Sequence, residues 1–251
     1  MSTWYDGKEI SIKRVNETIK YSEDRMKTVE NLIQSNQVKS FSIFYSYILS
    51  CHLLCNSLLY LNQFDRIKDI RKKCAITSYR GQEIFGFKAQ RFKYLLHDAI
   101  LSRDVELYKS LAEKTKKIVI VPESSAYKDY SKNSFYSLVY TIIDDENAKE
   151  YLSKFKVSEI SSKDKSEIGI GEAQALSGII EKDKKNILNG ILSLFDYRIR
   201  IYKKLKQLPI DELSFGSYLL YLAKDKGIEI NIRDEIPKKY HIIIPDVLNI
   251  E

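Results

Sequence analysis

Arg91 and His97 are the two residues of this chain whose types and spacing most directly suggest chemistry. Five residues separate them in the stretch RFKYLLH. A guanidinium can stabilise negative charge on a phosphate, and an imidazole can position or deprotonate a ribose 2′-hydroxyl. Such a pair would supply the groups needed to cleave RNA, so a ribonuclease is one interpretation of this stretch.

The Arg91–His97 spacing resembles the loose Arg-x4–6-His pattern of the HEPN (higher-eukaryote and prokaryote nucleotide-binding) ribonucleases. The chain has ten arginines and three histidines in 251 residues. At these frequencies, the number of matches to the pattern expected by chance is roughly a third of one. The same letters are also typical of two helices that meet at the tripeptide SRD. A HEPN-like helical ribonuclease that uses Arg91 and His97 is therefore kept as the alternative function.

Other residues that could bind a metal or a cofactor do not form complete sets. Cys51 and Cys55 lie one helical turn apart beside His52, but no further Cys or His follows closely enough in sequence to complete a zinc site. Gly169 and Gly171 lack the third glycine and the preceding strand of a phosphate-binding loop. We expect no catalytic, cofactor-binding or metal-binding residues, and the chain is predicted not to be an enzyme.

The composition favours an all-α protein. Only 9 Gly and 4 Pro interrupt a chain that is 44% hydrophobic and 30% charged, so long elements are expected. The net charge of +7 comes mostly from lysines in short clusters such as RKK and KTKK, which are typical of solvated helix faces; nucleic acid is not an expected partner. Three cysteines and an N-terminus without an apolar signal core predict a cytoplasmic protein.

The first 80 residues are predicted to form the N-terminal helical half of a single domain that spans residues 1–251. Residues 8–35 repeat apolar side chains at helical spacing. Residues 41–61 carry no charge and are long enough to span a bilayer, but their polar stripe of serines favours a buried bundle helix, so no membrane partner is expected. A basic helix follows and is predicted to lead into a loop near Gly81.

The region from residue 88 to residue 237 repeats one plan three times, which predicts stacked αα-hairpins of a solenoid-like kind. Each copy has an apolar helix that ends in paired aliphatic residues, then a short turn with an Asp, and then a second amphipathic helix. The aspartates are expected to cap the second helices by accepting free backbone N–H groups. They lie about 40 residues apart and are Asp104, Asp145 and Asp183.

The last segment, residues 228–251, changes character. Gly227 can end the preceding helix in a left-handed conformation. Ile228, Ile230 and Ile232 then alternate with polar residues, and the run YHIII follows before Pro245. This alternation favours a short β-hairpin or an extended tail that packs on the bundle.

Spaced positions in the second half resemble the immunity protein 49 family of bacterial polymorphic toxin systems. The likeness covers roughly residues 88–237 and includes the helix-turn LVYTIIDDENAKEYL and the run YLLYLAKDKGIEI that leads to Pro237. The resemblance implies an all-α, non-enzymatic protein that binds a cognate secreted toxin in the producing cell and occludes or distorts its active site. The first part of the pattern consists of Ala99, Arg103, Asp104, Leu107, Leu111 and Ala112.

The turns of a stacked array all lie at one edge, and this places the predicted toxin-binding residues. Several of the turn residues are acidic, so the edge is expected to form an acidic ridge on a basic protein. The partner would be the cognate toxin domain, and a homodimer is compatible with the same scaffold. The predicted toxin-binding residues are Arg103, Asp104, Glu106, Asp144, Asp145, Glu146 and Asp183.

Overall fold

The computed structural model describes residues 3–4, 8–9, 12–61, 63–87, 89–116, 118, 128–157, 163–205 and 216–240. It confirms an all-α helical bundle. The strands in these ranges are one two-residue antiparallel pair, Thr3–Trp4 (β1) with Lys8–Glu9 (β2). The helices are α1 Ile12–Gln34, α2 Phe41–Tyr60, α3 Phe64–Phe85, α4 Ala89–Leu101, α5 Val105–Thr115, α6 Lys128–Ile142, α7 Asn147–Val157, α8 Lys163–Glu181, α9 Lys184–Leu205, α10 Ser217–Asp225 and α11 Ile232–Glu235.

Helices α1, α2 and α3 form the N-terminal half, with α2 packed against both of its neighbours. The amphipathic pattern of α1 is confirmed, since Val15, Met26, Val29 and Ile33 are buried. Met26, Val29 and Ile33 pack in one hydrophobic cluster with the inward face of α2. The α2 helix is apolar enough and long enough to cross a membrane by composition alone, and 56% of that stretch is buried inside the protein. Core helices of soluble proteins pass the same test.

The loop expected near Gly81 is absent, because α3 continues through this residue to Phe85 and ends at Gly86. Gly81 is buried, and a Cβ built on it would lie 2.6 Å from Cγ of Phe44 in α2. The glycine therefore allows α2 and α3 to approach closely and does not end a helix. A lone glycine in a helical pattern indicates either the end of the helix or close packing against a neighbouring element. At Gly81 the structure has close packing.

The three predicted hairpins are present as α4–α5, α6–α7 and α8–α9. In each turn the aspartate accepts hydrogen bonds from the backbone of the following helix: Asp104 from Leu107 N (2.9 Å), Asp145 from Asn147 N (3.0 Å) and Asp183 from Lys185 N (3.0 Å). The residue before each aspartate adopts a left-handed conformation that is uncommon for side chains other than glycine. These residues are Arg103, Asp144 and Lys182, with φ between 55° and 61°.

The cap at Asp183 gives a first testable prediction. Asp183→Ala is expected to lower the free energy of unfolding by about 1 kcal/mol, because the backbone N–H groups of Lys185 and Asn186 lose their acceptor. Chemical denaturation would measure the change. Lys185→Ala, an exposed neighbour on the same helix turn, should stay within about 0.5 kcal/mol of the wild type. Equal costs for the two variants would contradict the capping role.

A second and larger hydrophobic cluster joins α4 to α10, and α4 lies at its centre. Helix α4 contacts α3, α5, α6 and α10. Helix α10 in turn packs on both α4 and α8. Leu95, Leu96, Ala99 and Ile100 of α4 are almost completely buried. The two clusters meet where α3 and α4 pack together, so side chains at this junction connect the two halves of the molecule.

The described part of the predicted tail, residues 228–240, departs from an extended conformation. Gly227 ends α10 with φ of 74°, as predicted, and residues 228–231 are outside regular structure. Ile232 then begins a helical turn, because the Asn231 side chain accepts from Asp234 N and caps it. A 3₁₀ turn follows at Lys238–Tyr240. The YHIII run lies mostly outside the described residues.

Candidate functional site

A surface pocket of about 590 Å³ opens between three chain segments that are far apart in sequence. The first segment is the α6–α7 turn, the second is the end of α8 with the turn that follows, and the third is the end of α10. Aliphatic side chains and half-buried Tyr140 lie beside charged groups of both signs. The lining residues are Tyr140, Thr141, Asp144, Asp145, Glu146, Ala148, Lys149, Ile179, Ile180, Lys182, Asp225 and Lys226.

Lysines hold the carboxylates of this pocket in place. The Lys226 ammonium pairs with Asp144 at 2.6 Å and also donates to the backbone carbonyl of Ile142. The Lys116 ammonium pairs with Asp145 at 2.7 Å and, with the backbone N–H of Asn147, holds the pKa of that carboxyl below its ordinary value. Two of the four carboxylates that line the pocket, those of Asp144 and Asp145, thus have a lysine partner.

The structure brings three of the seven predicted toxin-binding residues into this pocket, namely Asp144, Asp145 and Glu146. Asp183 caps α9 in the adjacent turn, where its neighbour Lys182 reaches the pocket. The remaining three belong to the α4–α5 turn and have other surroundings. They are Arg103, Asp104 and Glu106.

Residues of the α4–α5 turn contact α3 and α10. The Arg103 guanidinium donates to the Tyr221 hydroxyl at 2.6 Å and lies over that ring. Asp104 pairs with Lys72 of α3 at 2.6 Å, and the Lys72 ammonium holds the pKa of this carboxyl below its usual range. Glu106 is exposed in the first turn of α5. The predicted acidic ridge is thus an edge whose capping aspartates are largely paired with lysines.

Three tyrosines pack together, and one of them, Tyr140, lines the pocket. Tyr136, Tyr140 and Tyr151 have ring centroids between 5.0 and 5.9 Å apart, and they join α6 to α7. The Lys116 and Lys154 ammonium groups lie over two of these rings. Because the ring faces already contact one another, the cluster acts first as a wedge between the two helices.

Arg91 and His97 contact different aromatic residues on different helices. The Arg91 guanidinium lies 4.2 Å from the ring centroid of Phe41 in α2. His97 stacks on Tyr218 of α10 with centroids 3.8 Å apart, and its Nε2 is buried with no hydrogen-bond partner in the described part of the chain. Burial, with the nearby Lys93 ammonium, holds the pKa of His97 well below its ordinary value. In the described part of the chain, Arg91 thus packs on α2 and His97 on α10.

A buried polar network occupies the junction of α2, α3 and α4. Asp98 of α4 accepts from Arg71 of α3, contacts His52 Nε2 of α2 at 3.0 Å, and accepts from the Cys74 thiol at 3.2 Å. Burial lowers the pKa of His52, but the Asp98 carboxylate outweighs this and raises it to about 10. Burial likewise raises the pKa of Asp98, yet His52 and Arg71 bring it well below its ordinary value.

A second buried network lies between α4, α6, α8 and α10. Glu172 accepts from Lys93 and from the Tyr218 hydroxyl (2.6 Å), and Lys93 also donates to Ser134 at 2.5 Å. Glu172 and Ser134 are almost completely buried, so the ion pair sits inside the larger cluster. Both networks depend on α4, which places Lys93 in one and Asp98 in the other.

The Asp98 network could not be found in the sequence because Asp98 lies 24 to 46 positions from its partners. The sequence pattern singled out Cys51 and Cys55 instead, and both are buried and form no disulfide. One local signal was available: Asp98 stands among Leu95, Leu96, Ala99 and Ile100, where an acidic residue needs a buried partner.

Comparison with known protein families, with curated proteins and with solved structures finds no match to this chain.

Proposed function

We propose that this chain is a non-enzymatic, cytoplasmic immunity protein that binds a cognate toxin domain through the pocket between the α6–α7 turn, the α8–α9 turn and the end of α10. The pocket is the observation that carries the proposal. Its aliphatic lining is the partly buried Ile180 with the almost completely buried Ile179 and Ala148, and the Asp144–Lys226 ion pair lies beside it. Apolar centres with polar rims are typical of specific protein interfaces.

The resemblance to the immunity protein 49 family supports the scaffold on which this pocket is built. The first residues of the pattern that carries the resemblance lie in the α4–α5 hairpin. Ala99, Leu111 and Ala112 are buried there, and Asp104 caps α5. These roles explain why such residue types recur at that spacing in a hairpin protein. The contact surface itself is proposed from the pocket.

Neutralisation would follow from covering or distorting the active site of the toxin. The Asp144–Lys226 and Asp145–Lys116 pairs hold the α6–α7 turn against α10 and α5. A partner therefore meets a preorganised surface and pays little conformational entropy to order it. Exposed charges such as Glu146 would contribute mainly to the association rate and to specificity.

Charge reversal at the pocket tests this proposal. Glu146→Lys is expected to weaken binding of the toxin domain encoded beside this chain by about tenfold or more, which corresponds to about 1.4 kcal/mol. Glu106→Lys makes the same charge change on the α4–α5 turn, outside the pocket, and should bind like the wild type. Calorimetric titration of each purified variant and protection of cells that express the toxin are the measurements.

Glu17→Lys serves as the matched control, because Glu17 is exposed on α1 in the other half of the molecule. Equal weakening by Glu146→Lys and Glu106→Lys would favour the longer ridge over the pocket. Unchanged affinity of Glu146→Lys would reject the pocket. If the wild-type chain neither binds nor protects against that toxin, the immunity function itself is rejected. The HEPN-like ribonuclease gains no support from the separate surroundings of Arg91 and His97.

A further inference from the structure

Three potential metal ligands from three helices form a compact triangle at the junction of the two hydrophobic clusters. His52 Nε2 lies 3.0 Å from Asp98 Oδ2, Cys74 Sγ lies 3.2 Å from the same oxygen, and the sulfur and nitrogen are 3.9 Å apart. Tetrahedral zinc with bonds of about 2.0–2.3 Å separates such ligand atoms by roughly 3.3–3.6 Å. Each edge is therefore within about 0.4 Å of the spacing that zinc requires.

The orientation of the side chains also fits a common ion. The same ring nitrogen of His52 faces both the thiol of Cys74 and the carboxylate of Asp98. A single N–H of His52 can form a good hydrogen bond to only one of these two groups. One ion placed between the three ligand atoms would contact all of them. Asp98 presents Oδ2 to this point while Arg71 engages Oδ1. An outer partner that fixes a ligating carboxylate is usual at metal sites.

We propose that His52, Cys74 and Asp98 bind one Zn²⁺ ion. Mixed nitrogen, sulfur and oxygen ligands suit zinc, while Mg²⁺ and Ca²⁺ prefer oxygen alone. When the ion binds, the proton of the Cys74 thiol and any proton on His52 Nε2 are released to solvent. The thiolate and the carboxylate then neutralise the dication, and Arg71 keeps its own charge.

The ion would connect the two halves of the molecule. His52 belongs to α2, Cys74 to α3 and Asp98 to α4, and the last of these helices is central to the larger cluster. Cys74 and Asp98 are buried, while the His52 side chain is 23% exposed and lies on the solvent side of the triangle. This inference is independent of the toxin-binding pocket, which lies on other helices.

Metal titration of the purified full chain tests the proposal. After treatment with a chelator and its removal, the protein is titrated with Zn²⁺ in competition with a chromophoric chelator, and separately with Co²⁺. We expect one Zn²⁺ per chain with micromolar or tighter affinity, and a thiolate-to-cobalt charge-transfer band in the near ultraviolet. Because loss of an outer partner alone costs 10- to 100-fold at typical sites, Cys74→Ser should weaken zinc binding by more than about 100-fold.

Cys55→Ala is the matched control, since Cys55 is a buried cysteine of α2 that forms no disulfide and lies outside the triangle. It should keep both zinc binding and the cobalt band. A wild-type chain that binds no Zn²⁺ in the micromolar range would overturn the proposal. So would equal loss of binding in Cys55→Ala and Cys74→Ser.

Because Cys74 is fully buried, its substitution can also unfold the protein. A second variant at a less buried ligand separates loss of the ligand from loss of the fold. His52→Gln alters the partly exposed ligand, and circular dichroism would establish that its helices remain. Zn²⁺ should raise the unfolding temperature of the wild type and leave that of His52→Gln unchanged. Equal shifts in both proteins would place the bound ion elsewhere and overturn the assignment.

Discussion

Asp98→Asn is expected to lower the free energy of unfolding of the metal-free protein by about 3–5 kcal/mol. The substitution keeps the size of the side chain, so it creates no cavity, but it removes the negative charge that faces Arg71. The Arg71 and Asp98 side chains are only 5% and 3% exposed. The guanidinium would lose its carboxylate counter-ion at a depth where the loss of one member of an ion pair is costly.

The matched control is Glu23→Gln, which makes the same change from carboxylate to amide in an exposed ion pair. Glu23 pairs with Arg66 at 2.6 Å, and both side chains are about half exposed. Its loss should cost no more than about 1 kcal/mol. Chemical denaturation of both variants in the presence of a chelator measures the difference. Equal costs would show that burial at the α2–α3–α4 junction does not govern the Asp98 interaction.

A double-mutant cycle would isolate the charge interaction from other effects of the substitution. Arg71→Met should be costly in the wild type, because it leaves Asp98 with His52 alone as its cationic partner. In the Asp98→Asn background the same change should cost less, since the unpaired buried charge is then removed. Additive effects of the two substitutions would contradict a direct interaction.

The hairpins could be predicted because their determinants are local in sequence. Asp104, Asp145 and Asp183 accept backbone N–H groups that are two or three residues away. Such capping is visible in a short window, as are the paired aliphatic residues before each turn. The left-handed conformations of Arg103, Asp144 and Lys182 had no comparable signal, because glycine is the residue that usually reports them.

The buried networks could not be predicted because they depend on which helices meet in three dimensions. Arg91 and His97 look like a pair in the sequence, but α4 directs them to Phe41 of α2 and to Tyr218 of α10. His52 and Asp98 look unrelated and lie in contact. Sequence spacing within one helix therefore said less about chemistry here than the order in which the helices pack.

The candidate binding edge was predicted only in part, because its contacts also depend on which elements meet in three dimensions. Its aspartates are in turns, as expected, but three of the four also face a lysine from another element: Asp104 faces Lys72, Asp145 faces Lys116 and Asp144 faces Lys226. Those lysines come from α3, the end of α5 and the end of α10. The sequence indicated the acids and missed their partners, so it overstated the negative charge of the edge. Glu106 and Glu146 remain the exposed charges on which the binding test depends.

The close contact between α8 and α9 carries the second large prediction. These helices approach through small residues, since Gly171 and Ala175 of α8 face Gly190 of α9. A Cβ built on Gly190 would lie 2.5 Å from the backbone N of Ala175 and 2.5 Å from the backbone O of Gly171. Gly178 is equally close to the backbone of Ile187. Gly171 of the GIGEAQ stretch thus serves the packing of α8 against α9.

Gly190→Ala is expected to lower the free energy of unfolding by about 2–3 kcal/mol, because backbone atoms of α8 cannot move aside as a flexible side chain would. The helix itself favours the opposite result, since alanine in a helix interior is about 1 kcal/mol better than glycine. The sign of the change therefore separates the two effects. Chemical denaturation measures it, with Ser193→Ala, exposed on the same helix, as a control expected within about 0.5 kcal/mol of the wild type. If Gly190→Ala is more stable than the wild type, α8 and α9 lie farther apart than the 2.5 Å distances from the added Cβ indicate. The packing of the third hairpin would then have to be revised.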